Sequence, residues 1–296
     1  MFIVKYYIVG AILAFISLLL STELYFKVIW AWIGLSLTLV SLAYIFDLPW
    51  IFRKKINGSI PFYIRWLFIP FLLGSQLYNF YARKYDKVPA IQKIDQQLFL
   101  ACRLFPSDIP TLQKAGVTAI LDVTAEFDGL DWTAENEQLD YLNLPVLDHK
   151  SPKAEELIKA IYWLENHISN TRGVVIHCAL GRGRSVLVMA AYLLSKNQSW
   201  SVEQALTKIQ GIRATANLNK VQLNALKRFH QEGLFKLQAP LWIIANPVSG
   251  GGKWFENKAE VIERLSPYFL LHILEIRILL WAYYQWAQPM HLLMYC

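Results

Sequence analysis

The sequence predicts an α/β fold: a central, mostly parallel sheet flanked by helices, preceded by an α-helical membrane anchor. Three observations lead there. The apolar fraction of the 296-residue chain is 55%, and the excess is local, since residues 1–81 hold 20 aromatic residues but only 8 charged ones. From Val88 onward, short β-like runs alternate with helical patterns. One such run, Val174–His177, passes through a glycine-containing loop directly into a helix. The composition excludes disorder, collagen-like repeats and a disulfide scaffold. Cys102, Cys178 and Cys296 are too few and too scattered for a disulfide framework or a zinc site. The net charge of +7 is modest, and its one basic run, Arg53-Lys54-Lys55, follows an apolar stretch. That position suits an anionic membrane surface rather than nucleic acid.

The anchor occupies residues 1–82. Val28–Phe46 is uncharged, has Trp30, Trp32 and Trp50 as interfacial residues within or near it, and is long enough to cross about 30 Å of hydrocarbon. Tyr6–Ser21 is almost as apolar, and the connector Thr22–Lys27 is short enough for a helical hairpin. A signal peptide is disfavoured because no small-x-small cleavage site follows Leu20. The third stretch, Ile60–Tyr81, contains Arg65, Pro70 and Gly74. The positive-inside rule puts Arg53, Lys54 and Lys55 in the cytoplasm. A full third crossing would export everything after Arg83 and Lys84, so a re-entrant or interfacial segment is the preferred reading over a spanning one.

The α/β domain is assigned to residues 88–236. Strands are expected at Gln97–Ala101, Thr118–Val123, Tyr141–Leu144 and Val174–His177. Ser107 should cap a short helix ending at Gly116, and Ser151-Pro152 should open a helix running to about His167. A third helix starts within Gly183–Arg184 and reaches about Lys196. Ser201-x-x-Gln204 is a capping box for a fourth helix, ending at Gly211, and Asn217 caps a fifth, reaching about His230.

The string His177-Cys178-Ala179-Leu180-Gly181-Arg182-Gly183-Arg184-Ser185 carries the chemistry. A strand, a glycine loop and a helix make an anion cradle: loop N–H groups converge and the helix N-terminus adds positive potential. Gly181 and Gly183 let the backbone curl around a phosphate. Arg184 can grip two oxygens with its planar fork. The same field should lower the thiol pKa of Cys178 and expose a thiolate that attacks phosphorus. Ser185 can donate to the departing sulfur, and His177 should orient the loop. Asp148, on a loop between a strand and a helix, is the expected acid for the leaving oxygen and base for the hydrolytic water. Asp140 sits at a strand entrance, and Asp122 should hold a loop. Arg103 is open between substrate contact and exposed strand-end residue. A cysteine ending a buried strand is ordinarily a small core residue, and that reading loses force once Gly, Arg and Ser stand at these offsets with an Asp upstream.

His-Cys-x-x-Gly-x-x-Arg-Ser resembles the signature of the cysteine-dependent protein tyrosine phosphatase superfamily, and the short spacing to Asp148 is similar to its dual-specificity branch. The resemblance covers about residues 90–235 and extends to Leu98–Asp108, Leu121–Phe127, Arg213 and Gln222. It implies Cys178 as nucleophile, Arg184 as phosphate binder and Asp148 as general acid, with no metal and no cofactor.

A second loop follows the strand-like Leu241–Ala245. Asn246-Pro247-Val248-Ser249-Gly250-Gly251-Gly252 resembles the opening motif of diacylglycerol and sphingosine kinases, where it helps to hold ATP. Asn246, Ser249, Gly250, Gly251 and Gly252 are the candidate nucleotide-loop remnant, within a fragment assigned to residues 240–296. The later Gly-Gly-Asp-Gly-Thr motif is absent. A truncation near Pro267 is the expectation, with a membrane helix over about Tyr268–Ala287 as the alternative.

The functional expectation is therefore a multi-pass membrane phosphatase of bacterial inner-membrane type, its catalytic domain facing the cytoplasm. It would cleave phosphate monoesters through a phosphocysteine. The partner is a phosphorylated protein or an anionic phospholipid, not nucleic acid. A non-catalytic binder of phosphorylated partners and a remnant of a bifunctional phosphatase–lipid kinase are the alternatives.

Overall fold

The computed structural model describes residues 4–129, 139–237, 241–247, 252–265, 269 and 271–275. Three helices come first: α1 (Val4–Leu20), α2 (Leu24–Phe46) and α3 (Phe62–Lys84). The short break after Leu20 folds α1 back along α2. Gly34 allows the close approach, since a Cβ there would lie 3.0 Å from the Phe15 ring. Trp32 Nε1 donates to the Leu67 carbonyl at 3.2 Å and ties α2 to α3. Pro70 lies inside α3, which nevertheless continues to Lys84. Among the described residues, α2 is the helix long and apolar enough to cross a membrane, while α1 is apolar but has 17 residues.

A five-stranded sheet follows, built from β1 (Ile91–Asp95), β2 (Leu98–Ala101), β3 (Val117–Asp122), β4 (Asp140–Asn143) and β5 (Gly173–His177). Its order is β1-β2-β5-β3-β4. The β1–β2 pair is antiparallel and the other pairings are parallel. The sequence pattern missed β1, whose burial is too irregular for period-2 alternation. The central strand β5 is buried throughout, as a parallel strand covered on both faces must be. Helices α4 (Ile109–Lys114), α5 (Ala154–Ser169), α6 (Arg184–Lys196), α7 (Val202–Ile212) and α8 (Lys220–Gln231) surround the sheet. Residues 184–195 of α6 are buried, and the main core forms between that helix and the sheet.

The helix starts show how local chemistry set the boundaries. Ser201 and Gln204 form the expected capping box of α7. Asn219, rather than Asn217, caps α8, accepting from Gln222 N at 3.0 Å. Asn217 instead donates its backbone N–H to the Arg182 carbonyl. Lys153, rather than Ser151, precedes α5, with Glu156 accepting from its N–H. Ser107 lies in a short 3-10 turn, and Asp108 accepts from Phe105 N in its place.

Near the C-terminus, β6 (Leu241–Ala245), α9 (Lys253–Leu265) and β7 (Leu271–Glu275) form a β-α-β unit with parallel strands. The strand at 271–275 corrects the alternative of a membrane helix beginning at about Tyr268: Leu271–Glu275 pairs in parallel with β6. The remainder of that expected helix, from residue 276, lies outside the described residues.

Leu121 is fully buried at the centre of the main core, next to the site-bearing end of β3. Leu121→Ala should destabilise the chain by about 2–5 kcal/mol, read as a lower denaturant midpoint.

Candidate active site

The site lies at the carboxyl ends of β3, β4 and β5, where an open α/β sheet leaves its crevice. Cys178 directly follows β5, and Arg184 and Ser185 open α6. The loop between them is shaped from outside. Arg103 N donates to the Ala179 carbonyl at 3.0 Å. The fully buried Arg213 donates to the Leu180 carbonyl at 3.2 Å and, through Nε, to the Gly181 carbonyl at 2.7 Å. Asn217 N donates to the Arg182 carbonyl at 2.8 Å. A trans peptide points its N–H opposite to its C=O. Four carbonyls drawn outward therefore turn the amides of Leu180, Gly181, Arg182 and Gly183 inward as an anion nest. Gly181 takes φ +64°, and a Cβ there would sit 2.6 Å from the Ala101 carbonyl oxygen. The loop thus demands glycine at that position.

Cys178 is buried, and its Sγ lies 3.2 Å from Ser185 Oγ. The Arg184 side chain is 1% exposed. Its two Nη atoms meet the Glu126 carboxylate at 2.9 and 2.7 Å, and Nη1 also reaches the Val146 carbonyl at 2.7 Å. Asp148 Oδ1 lies 3.3 Å from Arg184 Nη2. Burial alone would weaken the guanidinium's hold on its proton, but Glu126 and Asp148 outweigh it and raise its pKa. Its Nε is buried without a hydrogen-bond partner among the described residues, leaving a donor for an incoming oxyanion.

The Asp148 loop is held from α8. Asn219 Nδ2 donates to the His149 carbonyl at 2.9 Å, and Gln222 Nε2 donates to the Lys150 carbonyl at 3.1 Å. His149 adopts φ +61° at this bend. Cys178, Arg184, Ser185 and Asp148 are thus brought together with His177, Ala179, Leu180, Gly181, Arg182 and Gly183. Asp140 is remote, pairing with Arg172 and His167 at the start of β4. Arg103 stacks on Phe127 and Phe105, which places it beside the main cavity rather than in its wall.

Asp122 holds a loop, as expected, accepting from Thr124 N and Oγ1. It also receives Lys54, Nζ to Oδ2 at 2.6 Å, with both side chains almost fully buried. This corrects the reading of Arg53-Lys54-Lys55 as a run presented to a membrane surface, because Lys54 is turned into the protein. No local pattern pointed to that pairing, and the Glu126 clamp was not anticipated either. A carboxylate just beyond a buried strand that ends beside Cys178 was the available signal for Glu126.

A cavity of about 700 Å³ opens over the loop. Its floor includes Cys178, Arg184 and Asp148, and its other wall comes from the first three helices, including Tyr7, Leu37 and Phe71. Phe68, Phe71 and Tyr44 cluster with Ala125 and Leu147, so the helices pack directly on the two loops that carry Glu126 and Asp148.

Of the second loop, Asn246 follows β6 and Gly252 takes φ +87° before α9. Ser249, Gly250 and Gly251 lie outside the described residues.

Comparison with known proteins follows the same outline. Residues 98–232 match the model of the dual specificity phosphatase catalytic domain. The chain is 26% identical over 190 residues to phosphatidylglycerophosphate phosphatase PTPMT2 of Arabidopsis thaliana, covering 62% of this chain and 76% of that one. It is 29% identical over 124 residues to human dual specificity protein phosphatase 6, covering 41% of this chain and about a third (32%) of that one. The crystal structure of PTPMT1 in complex with PI(5)P aligns with a TM-score of 0.45 and 24% identity, over 48% of this chain and 96% of that chain. The family match does not extend to the helices before residue 98 or to the second loop.

Burial pushes the pKa of His177 down to about 4, with Asp122 opposing and Lys54 and Arg103 reinforcing the shift. A depressed folded-state pKa gives stability that is complete above the unfolded value, about 6.5. That stability is lost as pH falls toward 4, in total on the order of 3 kcal/mol. The thermal midpoint should therefore fall between pH 6.5 and 4, and His177→Gln should flatten that slope. Glu126→Gln, which removes the bidentate carboxylate partner of the buried Arg184 and leaves only the partly exposed Asp148, should cost about 3–5 kcal/mol in a denaturation series.

Proposed function

We propose that this cysteine-dependent phosphatase, whose residues 98–232 match the dual specificity phosphatase catalytic domain, hydrolyses a phosphate monoester on a phospholipid headgroup at a membrane. The observation that carries the reading is the shared cavity: the catalytic loop is one wall and the apolar helices are the other. A substrate that fills it must be anionic at one end and apolar along the rest. The apolar faces of Tyr7, Leu37 and Phe71 on the helical wall favour an alkyl portion of the substrate over polar peptide backbone.

The outward faces of the helices support the membrane half of the reading. Leu19, Leu20 and Leu24 are exposed to 75% or more, and Trp50, Trp66 and Phe62 are also exposed. Contiguous apolar surface of this kind needs cover. With α1 and α2 as a spanning hairpin and α3 at the interface, Arg53, Lys55, Arg83 and Lys84 lie on the catalytic side, which the positive-inside rule assigns to the cytoplasm. The similarity to a phosphatidylglycerophosphate phosphatase agrees with a lipid substrate.

The chemistry proceeds in two steps. Cys178 attacks phosphorus as a thiolate, an S–P bond forms, and the P–O bond to the headgroup breaks. Asp148 gives its proton to the departing oxygen. The nest amides and Arg184 hold the three equatorial oxygens, where negative charge is stabilised. Asp148 then takes a proton from water, the water oxygen attacks phosphorus, and the S–P bond breaks with Ser185 donating toward sulfur.

Cys178→Ser should abolish turnover, and Asp148→Asn should lower kcat by about 10²–10⁴-fold on an alkyl phosphate. In mixed micelles the full chain should favour a lipid phosphate monoester over phosphotyrosine and phosphoserine peptides by at least tenfold in kcat/KM. A preference for peptides would overturn the lipid reading while leaving the phosphatase intact.

A further inference from the structure

Lys54 lies in the segment joining α2 to α3, outside the matched catalytic domain, yet its side chain is 1% exposed. All three donors of its ammonium are committed to one short stretch at the end of β3. They reach Asp122 Oδ2 at 2.6 Å, the Thr124 carbonyl at 2.8 Å and Thr124 Oγ1 at 3.1 Å. Asp122 pairs in parallel register with His177, the residue before Cys178. Asp122 Oδ2 is 3.8 Å from His177 Nε2 and also accepts from Tyr141 Oη at 2.9 Å. Val123 N donates to the His177 carbonyl at 2.9 Å, so the Asp122 stretch grips His177 through backbone as well.

We propose that Lys54 is a positioning residue: through Asp122 it fixes the charge and placement of His177, and so makes docking of the helical segment a condition for a working catalytic loop. The inference rests on Cys178 as the reacting thiol.

The physical reason lies in charge balance. Asp122 is buried beside two groups able to neutralise it, Lys54 and His177. With Lys54 in place the carboxylate is matched, and its pKa is held below the usual range: burial opposes this, but Lys54 and His177 outweigh it. Without Lys54 the buried carboxylate is left uncompensated, a strongly unfavourable state. His177 is then the nearest group that can take up a proton and repair the balance. That places a new positive charge one residue from Cys178 and alters the grip on the loop. Among the described residues, the other charged or titratable groups facing His177 are Arg103 from beyond β2, Tyr141 from β4 by way of Asp122, and Cys178 itself. None of them replaces a cation on Asp122.

The test uses the full chain in detergent, with ¹⁵N-histidine NMR and the pH dependence of kcat/KM on p-nitrophenyl phosphate, a soluble probe that does not depend on the lipid reading. In the wild type, His177 should stay neutral at pH 6; a protonated His177 there overturns the proposal. In Lys54→Met, its pKa should rise by about one unit or more. A matching ionisation should enter the kcat/KM profile between pH 5 and 7, with at least a tenfold loss at neutral pH. In Lys54→Met/Asp122→Asn, both buried charges are gone, so the wild-type profile shape should return. This double variant also serves if the single variant does not fold: a His177 that titrates near pH 6 in it counts against the mechanism. A Lys54→Met protein that melts earlier but keeps the wild-type profile shows a merely structural lysine and overturns the proposal. Inactivity of the wild type on every phosphate monoester would instead remove the phosphatase reading, while the NMR arms would still decide the role of Lys54.

Discussion

A guanidinium buried to 1% exposure needs its donors satisfied and its charge offset, and Arg184 meets that need through the Glu126 carboxylate on both Nη atoms. The constraint reaches far. Glu126 must sit beyond β3, Arg184 must start α6, and the two can meet only if β3 and β5 are parallel neighbours. The pairing also fixes how Arg184 faces a ligand. Its Nη atoms are turned to Glu126, its Nε lacks a partner among the described residues, and Asp148 stands at the edge of Nη2. An oxyanion entering the nest therefore meets a cation whose orientation is already set, which is what lowers the cost of organising a site for developing charge.

The loops that satisfy Arg184 also satisfy the helices. Ala125 precedes Glu126, Leu147 precedes Asp148, and both are fully buried in the cluster built around Phe68, Phe71 and Tyr44. One residue of each loop faces the helices and the next faces the cradle. Helix packing and site geometry are consequently the same set of contacts read from two sides. Lys54 adds a polar link at the other end of the same stretch, entering at Asp122, where β3 terminates. The protein thereby builds its crevice from the stretch that matches the phosphatase family model on one side and a segment outside that match on the other.

How much of this was legible depended on whether the information was local. The strand–loop–helix at Val174–Ser185 could be read because each requirement, a buried strand, glycines in the loop and a cation at the helix start, is met within twelve residues. The capping box at Ser201 was equally local. Asn217 and Asn219 were harder to separate, because both are good caps and only the bond from Asn217 N to Arg182 decides between them. Lys54 was misread for a non-local reason: a lysine in a basic run after an apolar stretch looks the same whether its partner is a lipid or an aspartate 68 residues away. β1 was missed because its pairing with β2, rather than any alternation of its own, makes it a strand.

The apolar excess of the first 81 residues divides by the surface each side chain covers. Val40, Phe52 and Phe68 are spent on packing within the helical cluster. Leu19, Leu20 and Leu24 face outward. Tyr7, Leu37 and Phe71 line the cavity. The third group is the telling one, because neither a simple tether nor a folded helical bundle requires apolar side chains to face a cradle for phosphate. A tether joined by a flexible linker would leave the catalytic crevice open to water on every side. Here the linker is short, since α3 ends at Lys84 and β1 begins at Ile91. Asp86 within it is drawn to the catalytic loop itself, Oδ2 to Arg182 Nη2 at 3.1 Å. The helices are therefore held where their apolar residues form one wall of the crevice over the Cys178 loop, so the shape of that crevice is a property of the helices as much as of the loop.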